Sequence, residues 1–367
     1  MEIANEYRHF DANELNDFVS RIFCEKGFGK SDALLCSQVL IAADLRGIDS
    51  HGVARLSGYC RLIDIGRINP KPNIKVLRNK GINCSIDADA AIGLVSAPFA
   101  MDIALDKLEI MGGGFTTICN SNHFGIAAYH AMKALSFDAI GFSMTNASPL
   151  VSPARGKERM LGTNPICLAV PANLQIPFVL DMATSTAANG KLEIASRKKQ
   201  EIPLGWLMDQ NGHASVNPNE LKNKGNLLPL GSDKDGGVHK GYGLSAWVDI
   251  FSGVLSGANY GPWVPPFVSF LNPIANQPGK GLGHFVGAWA IDGFMEPKTF
   301  KARMDHWIKR FKESTPIDTH EPVIIPGELE HNQQINRLKN GIPLHTEVIA
   351  DLKVLAKSLK TTFIHEK

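Results

Sequence analysis

The middle of this chain is predicted to form an α/β domain, and both ends are predicted to be helical. Two patterns carry the prediction. From about residue 76 to residue 294, short apolar runs alternate with stretches of helical periodicity, the arrangement that covers a sheet with helices. Before Gly66 and after Pro297, apolar residues recur at helical spacing instead. Residues 1–75 and 295–367 are thus expected to form one helical layer, with the α/β domain at 76–294 inserted between them. A chain of 367 residues is long enough for two such units and a large core.

Each element has its own signal. Asp11 or Asn13 can cap a first helix whose Leu15, Phe18, Val19, Ile22 and Phe23 fall on one face. Ser31 is expected to open a second helix, carrying Leu34, Leu35, Val39 and Leu40, and Gly47 to end it. Asp49 or Ser50 is expected to cap a third helix from His51. Strands are expected at Phe115–Cys119, Ala139–Met144, Ile166–Val170, Phe178–Asp181 and His284–Ile291, and helices near Ser96–Met111, Gly125–Leu135, Ala187–Ser196 and Tyr242–Ser256. The last segment reads as helices through Phe300–Phe311, His331–Lys339 and Glu347–Leu359. The Pro- and Gly-rich stretch Gly261–Gly283 is expected to be a mobile cover over a site.

Composition removes several function classes. A net charge of +2 provides no global field for nucleic acid or an acidic membrane surface. The local clusters Arg197–Lys199 and Lys298–Lys312 read as solvated helix faces. The six cysteines form no CxxC and no close pair, which fits a reducing compartment better than a disulfide framework or a zinc ribbon. The polar start, MEIANEYRHF, is not a signal peptide, and no 18-residue apolar run spans a membrane. A cytoplasmic protein is expected, with no nucleic-acid or membrane partner. HExxH, HxH and paired cysteines are absent, so no metal is expected.

Two constellations point to chemistry. His51, Arg55 and Tyr59 stand at i, i+4 and i+8, which places them on one stripe of the predicted third helix. Val53, Leu56, Cys60 and Ile63 make a separate apolar stripe. The polar stripe is either plain surface or the kit a 2-oxo-acid site needs: a proton carrier, a two-pronged carboxylate clamp and a hydroxyl donor. The second constellation is His123 in SNHFG (121–125), directly after a predicted strand, where open α/β sheets place ligands. Ser121 and Asn122 are expected to orient its ring, and Gly125 to permit close approach. The polar loops TNASP (145–149), GTNP (162–165) and DMATS (181–185) lie at strand ends and offer the hydroxyls, amides and N–H groups that pyrophosphate and ribose require. Lys240 adds a positive charge. A true GxGxxG is missing. Gly241–Ala246 matches GxGxxA only by count and reads as a helix start, so any dinucleotide is not held in the ordinary Rossmann manner.

RGIDSHGVARL (46–56), SNHFG, GTNP, DMATS, KGYG (240–243) and IPGE (325–328) together resemble the malate/L-lactate dehydrogenase family of the non-Rossmann type. That family includes L-sulfolactate, ureidoglycolate and diketogulonate dehydrogenases and cyclic-imine reductases. The motifs span nearly the whole chain in family order. The resemblance implies a homodimer, a three-layer α/β/α fold around a mixed sheet, and NAD or NADP extended near the subunit interface. It implies His51 or His123 as proton carrier, with Asp181 holding a histidine or touching the cofactor, and Arg55 and Tyr59 on the substrate. Ser148, Thr163, Asn164, Asp181, Met182, Ala183, Lys240, Gly327 and Glu328 fall in cofactor-contacting segments. Trp263–Leu271 is bulkier than in simpler members. The expected reaction is hydride transfer between NAD(P)H and a small 2-oxo acid, giving an L-2-hydroxy acid. A cyclic imine carboxylate and a silent nucleotide-binding dimer are the alternatives.

Overall fold

The structure is a computed structural model and describes residues 6–367. The chain opens with a short strand, β1 (Tyr7–Phe10), then α1 (Ala12–Glu25) and α2 (Lys30–Leu45). Of the two candidate caps, Asp11 acts: its carboxylate accepts the N–H groups of Asn13 at 2.8 Å and Glu14 at 3.3 Å. The apolar face of α1 is fully buried, as its spacing predicts. It packs with Cys36, Val39 and Leu40 of α2 and with Ile342, Leu344, Ile349 and Leu352 from the far end of the chain. The two ends therefore share one core.

The third helix departs from expectation. Residues Asp49–His51 and Val53–Arg55 are two separate 3₁₀ turns, and α3 begins only at Leu56, running to Asp64. The cause is the buried carboxyl of Asp44. It accepts the Val53 N–H at 2.8 Å and fills the space beside Gly52, where a Cβ would lie 1.8 Å from Asp44 Oδ1. Neither Asp49 nor Ser50 caps a helix; Asp49 is instead ion-paired to Arg337. His51, Arg55 and Tyr59 thus do not form one helical stripe, and Tyr59 is fully buried.

The α/β region begins with the hairpin β2 (Lys75–Lys80) and β3 (Asn83–Asp87). The hairpin was not legible in sequence, because every residue of β2 is exposed and its pattern is polar. Next come α4 (Gly93–Leu105), α5 (Leu108–Met111), β4 (Gly113–Ser121), α6 (Ala127–Ala131), β5 (Ala139–Thr145), β6 (Ile166–Val170) and β7 (Phe178–Met182). After α7 (Asn189–Arg197), three two-residue strands, β8 (Leu207–Met208), β9 (Ala214–Ser215) and β10 (Asn226–Leu227), form a small sheet. Then follow α8 (Val238–Asp249), β11 (Leu282–Ala290), α9 (Pro297–Lys312), α10 (Glu328–Asn340), β12 (Ile342–His345) and α11 (Thr346–Ser358). β12 pairs antiparallel with β1, Tyr7 opposite His345.

The main sheet has seven strands in the order β2-β3-β4-β11-β5-β6-β7. β3 and β4 are parallel, and β11, β5, β6 and β7 each run antiparallel to the neighbour before. α4 and α6 cover one face; α8 and the π-helical turn Ile250–Val254 cover the other. Glycines permit this close stacking. A Cβ on Gly141 of β5 would lie 1.8 Å from Ala131 O, and one on Gly283 of β11 would lie 1.6 Å from Ser252 O. The result is the three-layer α/β/α arrangement around a mixed sheet.

Strand direction fixes the functional edge. β3, β4, β5 and β7 all point their carboxyl ends to one side, and β6 and β11 begin there. SNHFG, TNASP, GTNP and DMATS therefore meet at a single edge, the one open sheets use for ligands.

Candidate active site

His123 leaves β4 at this edge. Its Nδ1 lies 2.5 Å from the Tyr59 hydroxyl and 3.3 Å from the Gly125 N–H. A backbone N–H can only donate, so Nδ1 is the accepting nitrogen and Nε2 carries the proton. Burial pushes the Tyr59 phenol well above its ordinary range, so it too stays a donor. Gly125, at φ +79°, makes this turn, and a Cβ there would strike Val39 and Leu94. The orienting partners differ from those expected. The Ser121 hydroxyl serves His284 Nε2 and Ser96, and the Asn122 amide serves the Ala90 and Ala91 carbonyls and Arg67.

His51 reaches the same place from the 3₁₀ turn. Its ring stacks on His123 with centroids 5.6 Å apart and 23° between planes. Its Nδ1 lies 2.9 Å from the Ser50 hydroxyl. Burial lowers the His51 pKa to about 4, with the Arg55 charge a second cause. Burial also holds His123 well below its ordinary value, helped by His51 and Arg55. Both rings are accordingly neutral near pH 7. Both remain half-buried, and neither Nε2 has a protein partner among the described residues. Phe267 closes the other side, 4.8 Å from the His123 ring and 5.1 Å from Tyr59. It comes from the Gly261–Gly283 stretch, whose backbone is tied down by Arg67 and Arg61 through the carbonyls of Pro265, Pro266 and Phe267.

Arg55 stands just beyond. Its Nε donates to Ser50 O at 2.5 Å, and Nη2 is ion-paired with Glu193 of α7 at 3.3 Å. A cleft of about 590 Å³ lies on its outer side, bordered by Ser50, Arg55 and Phe267 but by neither histidine.

Asp181 does not hold a histidine here; its carboxylate accepts the Ala128 N–H at the start of α6, at 2.8 Å. Burial pushes its pKa up to about 6, against that hydrogen bond and the Arg46 charge. The expected cofactor segments of Ser148, Thr163–Asn164 and Met182–Ala183 lie at this edge. The Ser148 hydroxyl accepts the Phe267 N–H, and Asn164 spans Ala147 N and Ser245 O. Thr163 O accepts the Thr184 N–H, beside Met182 and Ala183. Gly327, at φ +94°, packs on Val179 of β7, and Glu328 bonds Lys312 and the Ile325 N–H. Lys240 is exposed in the first turn of α8. Gly241 lets that turn close on Leu230, the packing role expected for it. Sequence reasoning missed Ser50, Phe267 and Glu193. Only the bulk of Trp263–Leu271 hinted at one of them.

Among the described residues no cluster of three or more His, Cys, Asp or Glu is placed to hold a metal ion, and no helix is long and apolar enough to cross a membrane.

Two neutral imidazoles stacked on each other, with a guanidinium beside them, are the equipment of an enzyme that moves a proton on an oxygen next to a carboxylate. Comparison with known proteins agrees. The family model for malate/L-lactate dehydrogenase matches residues 10–353. A malate dehydrogenase from Pyrococcus abyssi is 41% identical over 97% of this chain and 96% of its own length. The L-sulfolactate dehydrogenase of Methanocaldococcus jannaschii is 35% identical over 91% and 92%. The solved malate dehydrogenase of Pyrococcus horikoshii superimposes with a TM-score of 0.89 at 36% identity, covering 99% of both chains. The chain belongs to the malate/L-lactate dehydrogenase family, and so to the oxidoreductases that act on hydroxy acids.

Proposed function

We propose that this protein catalyses reversible hydride transfer between NAD or NADP and a small 2-oxo acid or L-2-hydroxy acid of the malate or lactate type, as a homodimer. The observation that carries the reading is the stacked, neutral His51–His123 pair at the carboxyl edge, with Arg55 beside it.

The donors at the edge suit a dinucleotide. The buried Arg46 Nε has no partner, although the charges of Asp181 and Glu330 are near, and the buried Ser245 hydroxyl is unpartnered beside Asn164. A phosphate or ribose can satisfy such groups. We assign its binding to the segments of Ser148, Thr163–Asn164, Asp181–Ala183, Lys240 and Gly327–Glu328. A nicotinamide held there would supply or accept the hydride.

The protein's own residues do the rest. Arg55 holds the C1 carboxylate of the substrate. His123, with its proton on Nε2, donates a hydrogen bond to the C2 oxygen, as a neutral imidazole can. His51 Nε2 takes the hydroxyl proton during oxidation and returns it during reduction. An anionic substrate on Arg55 cancels the charge that helps depress the His51 pKa, so binding strengthens the base.

The test is oxidation of NADH and of NADPH at 340 nm with oxaloacetate, pyruvate, sulfopyruvate, diketogulonate and piperideine-2-carboxylate. Turnover of an oxo acid supports the proposal and names substrate and cofactor together. Activity on the imine alone replaces it with an imine reductase. Nucleotide binding without turnover on any of the five replaces it with a silent binding protein.

A further inference from the structure

Arg55 is not a free cation. Glu193 Oε2 sits 3.3 Å from its Nη2, and the other carboxylate oxygen, Oε1, accepts the Asn189 side-chain amide at 2.7 Å. The acid is therefore held in place rather than drifting on the surface. The helix that carries it is anchored: Leu192 is buried with Leu150, Val151 and Leu207, and Arg197 in its last turn pairs with Glu347 of α11 at 2.9 Å.

The approach of α7 to Arg55 is also built. Gly190 faces Ser50, where a Cβ would lie 2.5 Å from the Ser50 Cβ and 3.4 Å from Arg55 Nη2. Only a residue without a side chain lets the first turn of α7 lie this close, and that turn brings Glu193 beside the guanidinium. The pair is partly exposed, which keeps it weak and exchangeable.

We propose that Glu193 is a specificity-determining positioning residue, an internal carboxylate that competes with the substrate carboxylate for Arg55. It lowers affinity for small monoanions that offer Arg55 nothing better than a carboxylate, and it favours acids able to displace it. The inference rests on the proposed role of Arg55 as substrate clamp.

The test compares Glu193→Gln and Glu193→Ala with the parent enzyme. Gln keeps the shape and the Asn189 contact but removes the charge. KM for the oxo acid is expected to fall about threefold to fivefold in both, the size of an exposed ion pair, with kcat within a factor of two. Glu193→Asp, which keeps the charge, is expected to restore the parent KM. In parallel, calorimetry reads the dissociation constant of oxamate, a non-reacting 2-oxo-acid mimic, in the presence of the nicotinamide nucleotide. Glu193→Gln should bind oxamate more tightly than the parent, and Arg55→Ala should not bind it. A KM that is unchanged or raised, or a kcat that falls with it, overturns the competition. So does oxamate binding that ignores Glu193 or is undetectable in both forms. If no oxo acid turns over yet oxamate tightens on Glu193→Gln, the competition stands and the proposed reaction fails.

Discussion

At the scale of single residues, the site depends on which nitrogen carries which proton. His123 Nδ1 is filled by Gly125 N–H and Tyr59 O–H, so its Nε2 is committed as a donor. His51 Nδ1 meets only a serine hydroxyl, which donates or accepts equally well, so its Nε2 is free to act as base. Replacing His51 by Ala is expected to cut turnover about 10²–10⁴-fold, the usual worth of general acid–base catalysis. Replacing His123 by Ala should give a smaller loss than removing the base, because a polarising hydrogen bond is lost and the proton carrier stays. Steady-state kinetics in the oxidation direction separates the two, and equal near-parental rates would end the proton-transfer model. Tyr59→Phe removes one donor from His123 while the ring stays packed against Phe267. A loss of about fivefold in kcat/KM is expected, matching one net hydrogen bond of about 1 kcal/mol.

At the scale of elements, junctions matter more than interiors. The residue between the Pro326 turn and α10 is Gly327, at φ +94°, with its missing Cβ only 2.9 Å from Val179 Cβ. Gly327→Ala must strain the backbone and push on β7, two residues before Asp181. A loss of about 1–3 kcal/mol is expected from denaturant unfolding, together with weaker nucleotide binding. At the other end of the chain, the Asp11 cap should be separable from function. Asp11→Ala is expected to cost about 1 kcal/mol in stability and leave KM unchanged. The broken third helix shows why a periodic reading fails at a junction. Spacing predicted one helix from His51, whereas the Asp44 carboxyl captured the Val53 N–H and restarted the chain at Leu56.

At the scale of the whole molecule, buried titratable groups set the response to acid. His130 and His51 are depressed to about 4 and His284 to about 3, each chiefly by burial. Between about pH 4 and 6.5 the unfolded chain binds protons that these folded rings refuse. Their contribution to stability is present above pH 6.5 and lost as pH falls through the folded values. Asp181 and Asp249, raised to about 6 by burial, act in the opposite sense, because the fold holds protons there that the unfolded chain releases. His130 isolates one contribution. It is not one of the proposed proton-transfer pair, its Nε2 bonds Phe124 O at 2.8 Å, and its buried Nδ1 has no partner. His130→Gln can keep a donor on Phe124. It should flatten the slope of unfolding free energy against pH by about 1.4 kcal/mol per unit near pH 5. An unchanged slope would show that His130 is protonated in the fold.

Sequence alone determined what is local or periodic. The five main apolar strands, the buried face of α1 and the helices after Pro297 follow from alternation and 3.6-residue spacing, which the backbone imposes whatever lies around it. Motif order was enough to identify the family. It also placed His51, Arg55, Tyr59 and His123 among the candidates. Tertiary structure alone decided how they meet. Tyr59 and His123 are 64 residues apart, and Glu193 reaches Arg55 across 138. The strands β1 and β2 carry no apolar alternation of their own and exist because a partner strand satisfies their hydrogen bonds. A proton's place on a ring, a carboxylate's claim on an arginine and a strand's need for a neighbour are set by atoms distant in sequence. Those atoms come within 3 Å or so of one another only when the layers pack.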